Sequence, residues 1–215
     1  MEKLFVIKIG GSFFRDDKID ILKKLTEIIK ANTEIKFLIV CGGGVAADLV
    51  RNFDQRENLT DHAAHFAAIT AMDLNTFLLS TYFKDKSYLD AELKLKSRIN
   101  LFLAQDYYRK IDPLPHSWKV SSDSIALELA DRFKADKLIL LKQRYCKSSK
   151  KRDENTAKRK IKADNLAADG LIDQYFPTLY KKQKTKITAL IINGNQPDYL
   201  RKYFLREKSV IDIIS

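Results

Sequence analysis

The chain has 215 residues, 45% of them hydrophobic and 31% charged, which is enough apolar material for one large core or two closely joined lobes and leaves no room for long disorder. No apolar run reaches the length of a membrane span, and Cys41 and Cys146 stand far apart in no CxxC arrangement, so a reducing cytoplasm fits best. The formal net charge of +11 raises nucleic acid as a partner, but ten Lys/Arg against two acids between Lys142 and Lys162 carry +8 of it, so the charge is one local segment and argues against a nucleic-acid-binding face.

In chain order, Lys3 to Ile9 is β-rich and ends abruptly at Gly10-Gly11, which reads as a buried strand entering a tight turn and not as a signal peptide. Asp16 or Asp17 is a candidate cap for a helix whose apolar face is Ile21, Leu22, Leu25, Ile28 and Ile29. Lys36 to Cys41 is a second short apolar run, closed by Gly42-Gly43-Gly44, and Ala46 to Phe53 has a helical pattern. A longer helix is expected from about Thr60 to about Tyr82, where Ala, Leu, Met and Phe dominate without Gly or Pro. Ile99 to Ala104 suits a strand, and Pro113 and Pro115 bracket a loop leading to a helix start at Ser121-Ser122-Asp123, with Ile125, Leu129 and Phe133 on its buried face. Leu138 to Leu141 and Leu190 to Ile192 read as buried strands, and Val210 to Ile214 as a strand closing the sheet. Residues 147–162 resemble a flexible basic insertion.

Short apolar strands alternating with amphipathic helices predict an α/β protein with a mostly parallel sheet. Neither an internal repeat nor a Pro/Gly/Ser linker divides the chain, so one domain spanning 1–215 is expected.

Phosphate needs backbone N–H donors at close range, which favours glycines at the ends of parallel strands. Five of the seven glycines sit in two such places, Lys8-Ile9-Gly10-Gly11-Ser12 and Cys41-Gly42-Gly43-Gly44. Neither G-x-x-x-x-G-K-[ST] nor G-x-G-x-x-G occurs, which excludes a P-loop and a dinucleotide fingerprint. Open α/β sheets bind ligands at the carboxyl ends of their strands, where both clusters fall. His62 and His65, at i and i+3 beside Asp61, have a spacing that could serve a metal, but no cysteine or further histidine is expected to join them, so no metal ligand is assigned.

In order and spacing, Lys8 to Ser12, Gly42 to Gly44 and Ser121-Ser122-Asp123-Ser124-Ile125-Ala126 resemble the amino acid kinase superfamily over essentially the whole chain. Within it, His116-Ser117-Trp118, Ala71-Met72-Asp73 and Ile192-Asn193-Gly194-Asn195-Gln196-Pro197 look most like the methanofuran-biosynthesis branch. The resemblance implies a three-layer α/β/α sandwich, with an N-terminal part that binds acceptor and a C-terminal part that binds nucleotide. It implies ATP and Mg²⁺, with the metal held mostly by the nucleotide phosphates, and a small-molecule phosphate acceptor. That acceptor would be [5-(aminomethyl)furan-3-yl]methyl phosphate, converted to its diphosphate. Homo-oligomers are usual in the superfamily.

The same resemblance implies individual roles. Lys8 would stabilise the phosphoryl group in flight, Asp123 would hold that lysine, and Lys142 would serve as a second phosphate-binding lysine. Gly10, Gly11 and Ser12 would face the ATP phosphates; Gly42, Gly43, Gly44, Arg51, Asp61 and His116 would belong to the acceptor site. One departure stands out: where many members carry an Asp-Val-Asp-Gly loop, this chain has Lys142-Gln143-Arg144-Tyr145-Cys146. That leaves two other readings open, a kinase for another phosphate acceptor such as UMP, and a non-catalytic binding protein that uses 147–162.

Overall fold

The computed structural model describes residues 2–89, 93–143, 159–183, 187–206 and 211–214. Its centre is an eight-stranded sheet in the order β3-β4-β2-β1-β5-β7-β8-β6. The strands are β1 (Lys3–Ile9), β2 (Ile35–Cys41), β3 (Ser87–Leu89), β4 (Ile99–Phe102), β5 (Lys137–Lys142), β6 (Arg159–Lys162), β7 (Thr188–Asn193) and β8 (Ile211–Ile214). All neighbours pair parallel except β7 and β8.

Strand period two divides the core into two faces. Phe5, Ile7 and Ile9 of β1 join Phe37, Ile39, Ile139, Leu141, Leu190 and Ile192 on one side. That side is covered by α1 (Ile19–Ala31) and α8 (Pro197–Phe204). Val6, Leu38, Val40, Leu138, Leu140 and Ile191 form the other, under α5 (Ser122–Arg132) and α3 (Asp61–Ser80), with α4 (Ala104–Lys110), α6 (Ala163–Ala168) and α7 (Phe176–Lys181) alongside. The result is the expected three-layer sandwich. Both faces of the central strands are buried, which is why those strands read as continuous apolar runs. Among the described residues, no helix is long and apolar enough to cross a membrane.

Several local expectations are corrected. Neither Asp16 nor Asp17 caps α1; both lie in a short 3₁₀ turn, Asp16–Lys18, and the residue preceding α1 is Lys18, with no side-chain cap bond. The strand expected at 99–104 stops at Phe102, because buried Asp73 of α3 accepts bonds from the N–H groups of Ala104 (2.6 Å) and Gln105 (3.0 Å) and so starts α4. The C-terminal strand does not close the sheet. Strand β8 lies inside it, and the last residues of the supposed basic insertion, Arg159–Lys162, form the edge strand β6. The rest of that segment, with Cys146, lies outside the described residues.

The two glycine loops meet at the carboxyl ends of β1 and β2. Helix α2 (Gly44–Glu57) begins at Gly44, which takes φ of +56°, and a Cβ there would collide with Gly11 O. A Cβ on Gly11 would in turn fall on the Gly44 backbone. Because backbone cannot rotate out of the way, Gly11→Ala should force the loops apart and lower stability by about 1–3 kcal/mol. Chemical denaturation measures this, and an unchanged midpoint would show that the loops have room to part.

Candidate active site

Strand alternation decides where the charged groups point. Lys8 is on the Val6 face of β1, and Lys142 is on the Leu138 and Leu140 face of β5, so both ends turn toward α5. There they share one carboxylate. Lys8 Nζ lies 3.0 Å from Asp123 Oδ1, and Lys142 Nζ lies 2.6 Å from Asp123 Oδ2. Lys8 is 5% exposed and Asp123 2%. Burial alone would raise the Asp123 pKa, but Lys142 and Lys8 outweigh it and hold the carboxyl at about 2. Burial, together with Lys8, brings the Lys142 ammonium down to about 8 against the pull of Asp123. Two ammonium groups around one carboxylate leave a positive excess that can hold an anion.

Asp123 is placed by the start of α5. Ser121 is the N-cap, its side chain accepting from Asp123 N at 3.3 Å. Behind it, Asp173 accepts from Ser121 N and Oγ, Ser124 N and Oγ, Tyr175 N and Phe176 N, at 2.6–3.1 Å. Burial and the nearby Asp123 raise the Asp173 pKa despite these donors. Asp173 is absent from the expected site residues. It sits fifty residues beyond Asp123, with no local pattern around it to show that it also holds Ser121 and Ser124 at the start of α5.

Three other expected residues fall into place around this centre. Gly10 is buried, and its N–H donates to Leu141 O at 3.2 Å, so it is not itself a phosphate donor here. Gly42 N–H is likewise engaged by Ile9 O at 2.9 Å, while Asn75 Nδ2 holds Gly42 O at 2.6 Å. Ser12 is exposed, and its carbonyl accepts from Gln143 Nε2 at 2.7 Å, linking the first glycine loop to the end of β5. The far side of that end is held by Gly194 N, which donates to Lys142 O at 2.8 Å, and by Asn195 Nδ2, which donates to Gln143 O at 2.6 Å.

Beside the lysine pair a cleft of about 330 Å³ opens. Gly11, Ser12, Gly42, Gly43 and Gly44 floor it, with Arg15, Arg51, His65, Trp118 and Ser122 among its walls. The first N–H groups of α2 have no intrahelical acceptor, so this helix end presents donors to the floor. Arg51 bonds Asp48 Oδ1 at 2.8 Å and lies 4.7 Å over the Trp118 ring, whose Nε1 donates to Asp54 Oδ2 at 2.6 Å.

Asp61 and His116 are not in this lining. Asp61, exposed at the start of α3, borders a side hollow of about 50 Å³ with His65 and Trp118. His116 stacks on His65 with ring centroids 4.0 Å apart, and it is His65 that forms the wall. The expectation that no further histidine would join His62 and His65 is therefore corrected. The loop after α4 folds back over α3 and brings His116 to both, with a ring distance of 5.3 Å to His62. Burial and the neighbouring His116 lower the His65 pKa to about 4, against the pull of Asp112.

The sequence model of the amino acid kinase family matches residues 3–168. The chain is 29% identical over 203 residues to the [5-(aminomethyl)furan-3-yl]methyl phosphate kinase of Methanocaldococcus jannaschii, covering 91% of this chain and 90% of that one. Among solved structures, UMP kinase from Ureaplasma parvum superposes with a TM-score of 0.72 at 16% identity, covering both chains fully. Uridylate kinase from Archaeoglobus fulgidus superposes with a TM-score of 0.69 at 19% identity, covering 98% of this chain and 99% of that one. At such identities these two speak for the fold alone. The family match spans well over half of the chain, and on it the chain belongs to the amino acid kinase family and is a phosphotransferase of that family.

Proposed function

We propose that the chain transfers a phosphoryl group from Mg-ATP to a small phosphomonoester, and that the acceptor is [5-(aminomethyl)furan-3-yl]methyl phosphate, which becomes the diphosphate. The observation that carries this reading is the pair of lysines on one buried carboxylate, at the carboxyl end of the sheet where two glycine loops touch. The choice of acceptor rests on the relative from Methanocaldococcus jannaschii.

In this reading the N-terminal part of one domain supplies the acceptor cleft and the C-terminal part the nucleotide half. ATP supplies the phosphoryl group and, with Mg²⁺ on its phosphates, a good leaving group. The residues present fit such a group, because the buried centre has one more cation than anion. Both Asp123 oxygens are taken by lysines, which fits a metal held by nucleotide phosphates and not by this carboxylate. Lys8 and Lys142 stabilise charge on the transferring oxygens, where fixed electrostatics provide most of the catalysis. Gly11 and Ser12 face the donor phosphates, and the α2 N-terminus with Gly43 and Gly44 faces the acceptor phosphate. Arg51, spread against Trp118, gives the cleft a guanidinium for the acceptor's anionic end. Transfer is in line, without a covalent enzyme intermediate.

We also propose that the chain self-associates. Val45, Leu49 and Phe53 of α2 and Leu74, Phe77 and Leu78 of α3 are large apolar side chains left exposed on two helices that pack together.

Incubation with Mg-ATP should give ADP and diphosphate with the furan phosphate and not with UMP. Turnover with UMP alone would replace the acceptor, and turnover with neither would remove the assignment. Lys8→Ala should lose on the order of a hundredfold or more in kcat with the circular dichroism spectrum retained; a wild-type rate would overturn the role of Lys8.

The rate should fall as pH rises through about 8, as Lys142 loses its proton. Lys142→Arg should remove that alkaline limb, because a guanidinium stays charged. The stability signs differ for the two partners. The folded state binds fewer protons at Lys142 than the unfolded chain between about 8 and 10.5, so this group's contribution to stability rises with pH over that window. Asp123 stabilises above its ordinary value of 3.8, and that contribution is lost as pH falls through about 2. Denaturation midpoints across pH in Lys142→Met and wild type check the first sign. Light scattering of wild type against Leu49→Glu/Phe53→Glu checks self-association, with a smaller particle expected for the variant.

A further inference from the structure

All three histidines of the chain come together at one place, although they are drawn from two distant segments. His62 and His65 come from the first two turns of α3, and His116 from the loop before α5. Asp112, in the same loop and at φ of +38°, turns its carboxylate between two of the rings. Its Oδ2 lies 2.7 Å from His116 Nε2, and its Oδ1 lies 3.7 Å from His65 Nε2. The His65 side chain is only 7% exposed, and its Nε2 has no hydrogen-bond partner among the described residues. A buried imidazole nitrogen without a partner costs free energy unless something fills the gap.

We propose that His65, His116 and Asp112 form a binding site for a first-row transition-metal ion, Zn²⁺ being the best fit, in the wall of the acceptor cleft. One donor atom from each of the three residues lies within 4.8 Å of the others. At Zn–N and Zn–O distances of about 2.0–2.2 Å, two ligands on one ion can be no more than about 4.2 Å apart. Tetrahedral angles bring donor atoms to about 3.4 Å, so side-chain rotations that move the donors by about an ångström close the set, at the expense of the Asp112–His116 bond. Two imidazoles and one carboxylate favour zinc, cobalt, nickel or iron over magnesium or calcium, which take all-oxygen sites. Three protein ligands leave a coordination position open. Of the three ligands His65 lines the cleft, so an ion held here would lie behind that wall. His62 is exposed and is the next donor outward.

The site is independent of the phosphoryl-transfer centre, so its test does not require turnover. Untagged full-length protein, stripped with chelator, is titrated with Co²⁺ by visible absorption and with Zn²⁺ by calorimetry. The expected result is one ion per chain and d–d bands of a nitrogen- and oxygen-ligated Co²⁺. Asp112→Asn/His116→Gln should weaken binding by at least the roughly 10–100-fold that even an outer-shell partner is worth. His65→Asn, tested with circular dichroism to show that it folds, should do the same. His62→Ala should weaken it less than either. Absence of saturable binding, unchanged affinity in Asp112→Asn/His116→Gln, or a thiolate charge-transfer band showing that the ion sits on cysteine would each overturn the proposal.

Discussion

One buried carboxylate between two buried ammonium groups sets the terms for the rest of the molecule. Removing ions of this size from water costs several kcal/mol each even after relaxation, and the Lys8–Asp123–Lys142 contact offsets this only while its geometry is held. The surrounding fold supplies that geometry. Register between β1 and β5 places Lys8 beside Leu140, two positions short of Lys142 on the same face. The start of α5, held by the Ser121 cap and by the four bonds that Ser121 and Ser124 donate to Asp173, fixes Asp123 in the helix's first turn, where its negative charge is favoured by the helix dipole. Breaking such a buried set by removing one member typically costs about 3–5 kcal/mol, because the remaining charges are left uncompensated. The excess positive charge is what makes this arrangement suited to an anion and poorly suited to a merely structural role.

A second constraint is steric. Backbone that is to hold an anion must come close to it, and here two glycine loops come close to each other. Gly11, Gly42 and Gly44 pack without intervening side chains, and Gly194 lies against the Phe13 ring so closely that a Cβ would strike it. The loops after β1, β2 and β7, with Gln143 at the end of β5, therefore form one connected surface at the carboxyl end of the sheet. Gln143 bridges the first glycine loop to β5, and Asn195 bridges β5 to the loop after β7.

How much of this was legible in the sequence depended on whether the cause was local. The central strands and α3 announced themselves, because burial on both faces of β1, β2 and β5 demands unbroken apolar runs, and Thr60 caps α3 through Ala63 N. Lys8 beside Gly-Gly-Ser and Asp123 after a serine cap stood out for the same reason. Helix α4 and the edge strand β6 did not. The first begins because a distant aspartate, Asp73, receives its N–H groups, and the second forms because β8 offers it a parallel partner. Asp173 was hidden by the same kind of cause, since four of its six bonds come from Ser121 and Ser124, whose proximity only the tertiary fold creates.

The cleft beside the glycine loops shows the same division, with consequences for chemistry. Arg51 was visible as a basic residue one to two turns into α2, but its stacking on Trp118 depends on the loop before α5 crossing over α2. That one loop carries Asp112, His116 and Trp118, and so brings a carboxylate, an imidazole and an indole to helices laid down sixty residues earlier. It buries the side chain of His65 and leaves it neutral, while the neighbouring Arg51 guanidinium stays half in solvent. Beside the glycine floor, which suits phosphate in general, the opposite wall combines a cation, an aromatic face and uncharged nitrogen. A phosphate site needs only the floor. In the proposed reaction the wall is where discrimination between acceptors would arise, because its groups would meet the part of the molecule that differs from one phosphomonoester to the next.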